Sequence, residues 1–219
     1  MSKKSDQIFE YSLGEDITNS IIHGIGAALS IAALVILLVF TSGQNDIWRV
    51  VSFSIYGGSL ILLYLASTLY HSFRIPRVKN IFRIFDHASI YILIAGTYTP
   101  LTLVSIRGAW GWSIFGIIWG LAIIGIVFKS LFIDRYAILS VCIYILMGWL
   151  CVIAYKPFMQ TIHPSGLIWL AIGGACYTFG IIFFAWDKLP YNHAIWHIFV
   201  LAGSICHFFS ILFYVLPIQ

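Results

Sequence analysis

The sequence predicts an all-α integral membrane protein, a bundle of seven transmembrane helices, and three observations carry that prediction. Charged residues make up 9% of the 219 positions and hydrophobic ones 61%, whereas a soluble domain carries about 25% charge and about 45–50% apolar residues. Seven intervals free of Asp, Glu, Lys and Arg reach 20 residues or more, the length that crosses a hydrocarbon core about 30 Å thick. None of them alternates in the manner of a barrel strand, and all exceed the roughly 9–11 residues such a strand needs. In lipid the backbone must then be satisfied within each segment, which means helix. The low charge disfavours a soluble enzyme, a disordered chain and a nucleic-acid binder. The net charge of +4 comes with no dense Lys/Arg tract.

The charge-free intervals predict helices at approximately 17–42, 48–73, 86–106, 109–129, 136–156, 165–186 and 190–216. The first is longer than the apolar core of a signal peptide and lacks a convincing cleavage site, so it is read as a retained span. The third opens on Asp86 and contains Pro100, which lacks an N–H and is expected to kink it. Separators at 42–48, 105–110 and 186–191 leave no room for a soluble domain, so residues 1–219 form one membrane domain. No repeat of fixed period and no low-complexity linker interrupts it. Trp48, Trp110, Trp112 and Trp186 fall near the boundaries, as an aromatic belt does. Gly57-Gly58 and Gly173-Gly174 allow close helix approach. Cys142, Cys151, Cys176 and Cys206 lie inside apolar segments without a CxxC pair and read as free, buried thiols.

Alternate connections differ in Lys and Arg. One side carries Lys3, Lys4, Arg74, Arg77, Lys79, Arg83, Lys129, Arg135 and Lys188; the other carries Arg49, Arg107 and Lys156. The richer side is the cytoplasmic one, which puts the N-terminus in the cytoplasm and, after seven crossings, the C-terminus outside. The basic run at 74–83 reads mainly as a topology signal, with contact to anionic head groups as the second reading.

In so apolar a chain, intramembrane ionisable groups are the functional candidates. His193 and His197 are four residues apart and share a helix face. Ser67 and His71 repeat that step, and Glu15, Asn19 and His23 take it twice. On the expected topology His23, His71, His87, His193 and His197 all lie toward the cytoplasmic ends of their helices. A catalytic zinc takes three protein ligands plus water, and His71, His193 and His197 suit that role. Asp86 could orient or deprotonate the water, and Ser67 could support the ligand shell or a developing oxyanion. The competing reading is plain interhelical hydrogen bonding, the preferred one for His163 and His207; His87 could simply face the interface. Glu15, Asn19 and His23 fit either an amphipathic first turn or a second shell behind the metal.

The combination of Glu15-x3-Asn19-x3-His23, Ser67-x3-His71, Asp86-His87 through Gly96-Thr97-Tyr98-Thr99-Pro100, and Asn192-His193-Ala194-Ile195-Trp196-His197, in this order over seven helices, resembles the hemolysin III family of bacterial membrane proteins. That family is related to the progestin and adipoQ receptors and, distantly, to the alkaline ceramidases. The resemblance implies a Zn2+ site in the cytoplasmic half of the bundle, with ligands at His71, His193 and His197, an acid at Asp86 facing the water, and Ser67 at the SxxxH serine. It also implies a bacterial plasma-membrane location. Long cytoplasmic N-terminal domains of the eukaryotic receptors have no counterpart, and His87 is an additional potential ligand.

Three functions are compatible with these residues. A zinc-dependent hydrolase would cleave a membrane lipid, with an amide bond favoured by the ceramidase likeness. A receptor-like regulator of membrane homeostasis would use zinc structurally. A cytolysin, suggested by the family name, would need a water-soluble state that this composition does not support. No nucleic-acid partner is expected.

Overall fold

The computed structural model describes residues 11–133 and 135–217, so Lys3 and Lys4, which enter the charge asymmetry, lie outside the described residues. Within them are seven helical segments long and apolar enough to cross a membrane, and the fold is an all-α bundle.

Helix α1 (Leu13–Thr41) begins four residues before the expected position because a capping box precedes the apolar run. The Glu15 amide donates to Ser12 Oγ at 3.3 Å, and the Ser12 amide donates to Glu15 Oε2 at 2.9 Å, which satisfies two of the free amides of the first turn. Its buried face is Asp16, Asn19, His23, Gly26, Ala27, Ser30, Ala33, Leu37 and Thr41. Those residues step by three and four, one stripe of a 3.6-residue helix. Apart from Leu37 the stripe is polar or small, while Ile17, Ile21, Ile25 and Val39 point outward and are exposed. A soluble helix buries the opposite set, so this face pattern has lipid as its solvent.

Helix α2 (Ile47–Ser72) is capped by Asp46, whose Oδ1 accepts from the Trp48 amide at 3.0 Å. Helix α3 (Pro76–Pro100) starts ten residues earlier than the charge pattern suggested. Pro76 occupies the first turn, where a missing N–H costs nothing, and Lys79 and Arg83 are buried rather than displayed in a loop. At Pro100 the α-helical ladder changes to a π-helical turn over Leu101–Ser105, one way a chain accommodates an interrupted hydrogen-bond pattern.

Helix α4 (Ala109–Leu131) follows. The fifth span is composite: α5 (Ala137–Gly148), a 3-10 segment (Leu150–Ala154) and α6 (Tyr155–Thr161). Helix α7 (Pro164–Phe184) is capped by His163, whose Nδ1 accepts from the Ser165 amide at 3.2 Å, a hydrogen bond within its own helix rather than the interhelical one expected of it. Helix α8 (Asn192–Ser210) ends in a second π-helical turn, Ile211–Val215.

Helices α2 and α3 form the interior, and α1 packs against both α2 and α8. Small residues set the approach distances. A Cβ on Gly57 would lie 2.6 Å from Leu34 Cδ1, whereas one on Gly58 would meet nothing within 4 Å. One glycine of the pair therefore serves packing. A Cβ on Gly173 would collide with the His207 ring, and His207 Nε2 lies 3.1 Å from the Leu170 carbonyl, the interhelical contact expected of that histidine. At the far end Arg49 Nη1 donates to the Val215 carbonyl at 3.0 Å and Gln44 Nε2 to the Leu216 carbonyl at 3.3 Å, fastening the close of α8 to the start of α2. Successive spans run in opposite directions. The start of α1, the end of α2, the start of α3 and the start of α8 consequently meet at one end of the bundle.

Candidate metal centre

Three histidines converge at that end. His71 sits in the last turn of α2; His193 and His197 occupy the first two turns of α8. Ring centroids are 5.2 Å apart for His71 and His193, 5.2 Å for His71 and His197, and 4.3 Å for His193 and His197. One ligand nitrogen from each lies within 4.8 Å of the others. The side chains are sealed from solvent, with 2%, 8% and 2% of each residue exposed.

His71 Nε2, His193 Nε2 and His197 Nδ1 are buried and find no hydrogen-bond partner in the protein. A buried nitrogen left unpaired costs about 1–3 kcal/mol, a cost that a cation shared by the three rings would relieve. The donor set is compatible with a metal site, since neutral imidazole is a common ligand for divalent transition metals.

On two of the rings the other nitrogen is tied back. His71 Nδ1 lies 2.9 Å from Asp16 Oδ1, and His193 Nδ1 lies 3.1 Å from the Tyr11 hydroxyl. Asp16 in turn accepts from Lys79 Nζ at 2.8 Å through its other oxygen, and Arg74 approaches that oxygen to 3.6 Å. Lys79 also donates to the Tyr70 carbonyl at 3.4 Å and lies 4.8 Å above the Tyr70 ring. Asp16 is 1% exposed and Lys79 0%.

His23 stacks on His197 with centroids 3.5 Å apart and planes at 15°, and meets the Tyr64 ring edge-on at 5.0 Å. Imidazole lone pairs lie in the ring plane, so stacked rings cannot aim at one ion; His23 backs a ligand and does not join the three. Neither ring nitrogen of His23, neither atom of the Asn19 amide and not the Ser67 hydroxyl finds a protein hydrogen-bond partner, and all are buried. Glu15 is engaged elsewhere, in the capping box and with the Tyr191 amide at 3.2 Å. Asp86 stands in the third turn of α3 and is partly buried, with Oδ2 3.6 Å from His87 Nδ1. His87 Nδ1 is bonded to the Arg83 carbonyl of its own helix at 2.8 Å, outside the three-imidazole group.

Asp16, Lys79 and Tyr11 were not singled out in the sequence. A signal for Asp16 existed: positions 16, 19 and 23 follow the three-then-four step that runs on to Gly26 and Ser30, whereas Glu15 lies one residue off the buried stripe. A signal for Lys79 also existed in Pro76, a preferred first helical residue.

The sequence model of a family described as Haemolysin-III related matches residues 11–208. The chain is 50% identical to "Hemolysin-3" of Bacillus cereus over 217 residues, 99% of each chain, and 48% identical to "Hemolysin-3 homolog" of Bacillus subtilis (strain 168) over 204 residues, 93% of this chain and 96% of that one. It is 29% identical to the human "Monocyte to macrophage differentiation factor" over 174 residues, 77% of this chain and 72% of that one.

Proposed function

The chain belongs to the haemolysin-III-related family, and from that premise we propose that it is a zinc-dependent hydrolase of a membrane lipid, with an amide as the favoured scissile bond. The supporting observation is the cluster of three buried imidazoles that bring one nitrogen each within 4.8 Å of the others, each ring also carrying a buried nitrogen without a protein partner. His71, His193 and His197 would hold the ion, and zinc bound there would acidify a water to a pKa of about 7 and polarise a carbonyl.

The chain's own residues supply the rest. Asp86 accepts the proton of the attacking water and returns it to the leaving amine, so the lipid amide and water become a carboxylic acid and an amine. Ser67, with a buried hydroxyl free of other bonds, donates to oxygen where negative charge builds. Asn19 and His23 stand behind the ligands as their second layer of support. The outward apolar faces of the helices bring lipid to the site's level in the membrane. On the Lys/Arg asymmetry the N-terminus is cytoplasmic, the centre lies near the cytoplasmic face, and the membrane is the bacterial plasma membrane.

Metal analysis of the purified protein tests the centre. One zinc per chain is expected for wild type and none for His71→Ala or His197→Ala; equal zinc in all three would defeat the proposal. Mass spectrometry of a lipid extract incubated with wild type and with Asp86→Ala tests the reaction.

A second reading, a receptor-like regulator with structural zinc, draws support from the ligands coming from α2 and α8, which an ion would staple together. It requires Asp86→Ala to leave membrane phenotypes intact while His193→Ala removes them. The cytolysin reading is not favoured, because so apolar a chain has no means of staying dissolved before insertion.

A further inference from the structure

We propose that Asp16 is the positioning residue of the metal centre, fixing the tautomer and ring orientation of His71, and that Lys79 holds Asp16 in place for that task. The inference rests on the metal reading above and adds to it a relay through three helices: α3 to α1 to α2.

The chemistry runs outward from the ligand. A carboxylate only accepts hydrogen bonds. With Asp16 Oδ1 2.9 Å from His71 Nδ1, the proton of the neutral imidazole sits on Nδ1 and the lone pair on Nε2. Nε2 is the atom that finds no partner in the protein. Without Asp16, the ring could carry its proton on either nitrogen and turn about its own side chain, and only one of those states offers a ligand toward His193 and His197.

Burial makes the carboxylate itself a demanding group. An isolated buried charge is strongly disfavoured, which a backbone carbonyl in the same place would avoid. Lys79 Nζ, 2.8 Å from Oδ2 and wholly enclosed, offsets that cost and fills the second oxygen. Asp16 thus has one oxygen for the ligand and one for the anchor. The lysine comes from the first turn of α3, so the seating of α3 against α1 is coupled to the geometry of a ligand on α2.

The test uses the full chain in detergent. Losing a partner behind a metal-ligating histidine lowers metal affinity by about 10–100-fold, and Asp16→Asn is expected to weaken Zn2+ binding, measured by chelator competition, within that range. Its Co2+ absorption bands should shift, and Asp16→Glu should recover part of both. Asp16→Asn leaves the buried Lys79 without a counter-charge and can fail to fold; Asp16→Asn with Lys79→Met removes both charges while keeping an acceptor, and is expected to show the same weakened binding. Histidine 15N shifts of metal-free protein, assigned against His71→Ala, should show the Nδ1–H tautomer in wild type and a mixture in the variants. Wild-type affinity, unchanged cobalt bands and an unchanged tautomer in a folded variant would overturn the proposal. So would an affinity loss that follows lowered melting temperature while tautomer and cobalt bands stay as in wild type. If wild type binds neither Zn2+ nor Co2+, the metal reading fails instead, and the tautomer measurement still decides whether Asp16 sets the state of His71.

Discussion

Gly26→Ala should destabilise the protein and loosen its histidine cluster, although it adds one methyl group to a helix. In a free helix the change would be favourable by about 1 kcal/mol, because alanine is the better helix former. Here the new Cβ would lie 2.5, 2.7 and 2.9 Å from Cδ1, Cε1 and Cγ of Tyr64, while comfortable carbon contacts are about 3.5–4.0 Å. The ring must therefore retreat by about 1 Å. It has no room to do so: Tyr64 is wholly buried, its hydroxyl donates to Ser204 Oγ at 2.8 Å, and His23 lies edge-on to it. Overpacking of this kind costs about 1–3 kcal/mol, more than the gain in helix propensity. The strain passes to His23 and then to His197, on which His23 stacks. Gly58→Ala is the internal control, since nothing lies within 4 Å of its new Cβ; it should be neutral or mildly stabilising. Thermal unfolding of both variants in one detergent, with zinc content measured alongside, gives the comparison. Equal melting temperatures for Gly26→Ala and wild type, or an equal loss for Gly58→Ala, would refute the steric argument.

Other outcomes follow from the same contacts. Ser204→Ala removes the atom that both Tyr64 and Tyr177 reach at 2.8 Å, and should cost about 1–3 kcal/mol by stranding buried hydroxyls; a neutral result in thermal unfolding would contradict that. Ser12→Ala removes the cap of α1 and should cost about 1 kcal/mol, read in the same assay. Chelation of the metal should lower the melting temperature of wild type and leave that of His197→Ala unmoved, because a ligand that binds only the folded state stabilises it. Asp86→Ala should keep its zinc while losing turnover of a lipid amide; loss of both would make Asp86 structural.

The spans were legible because lipid tolerates few charges, so the charge-free intervals located all seven. The same rule misplaced two boundaries. It treated Lys79, Arg83 and Asp16 as markers of helix ends, yet a charge can lie within a spanning helix when another charge meets it, as Lys79 meets Asp16. The ligand trio was legible from spacing in His193 and His197, which share a face by helical geometry alone. His71 became a candidate beside them because the expected topology put all three toward the cytoplasmic ends of their helices, and the family resemblance implied the same set; their contact itself needed the packing of α2 near α8, which spacing does not contain. The π-helical turn after Pro100 had a local cause in the missing N–H. The turn at Ile211 has no such residue, and nothing in its sequence announced it. The break of the fifth span after Gly148 was equally silent, since one glycine among apolar residues reads as ordinary membrane helix.

The centre draws its ligands from the second span and the last. Ribosomes deliver those spans far apart in time. Until α8 enters the bilayer, His71 and its support from Asp16 and Lys79 wait with an incomplete donor set, and no partially made chain can retain the ion through all three imidazoles. A metal held by all three imidazoles would therefore require the final helix to be in place, and a chain cut short before residue 197 would lack the full donor set.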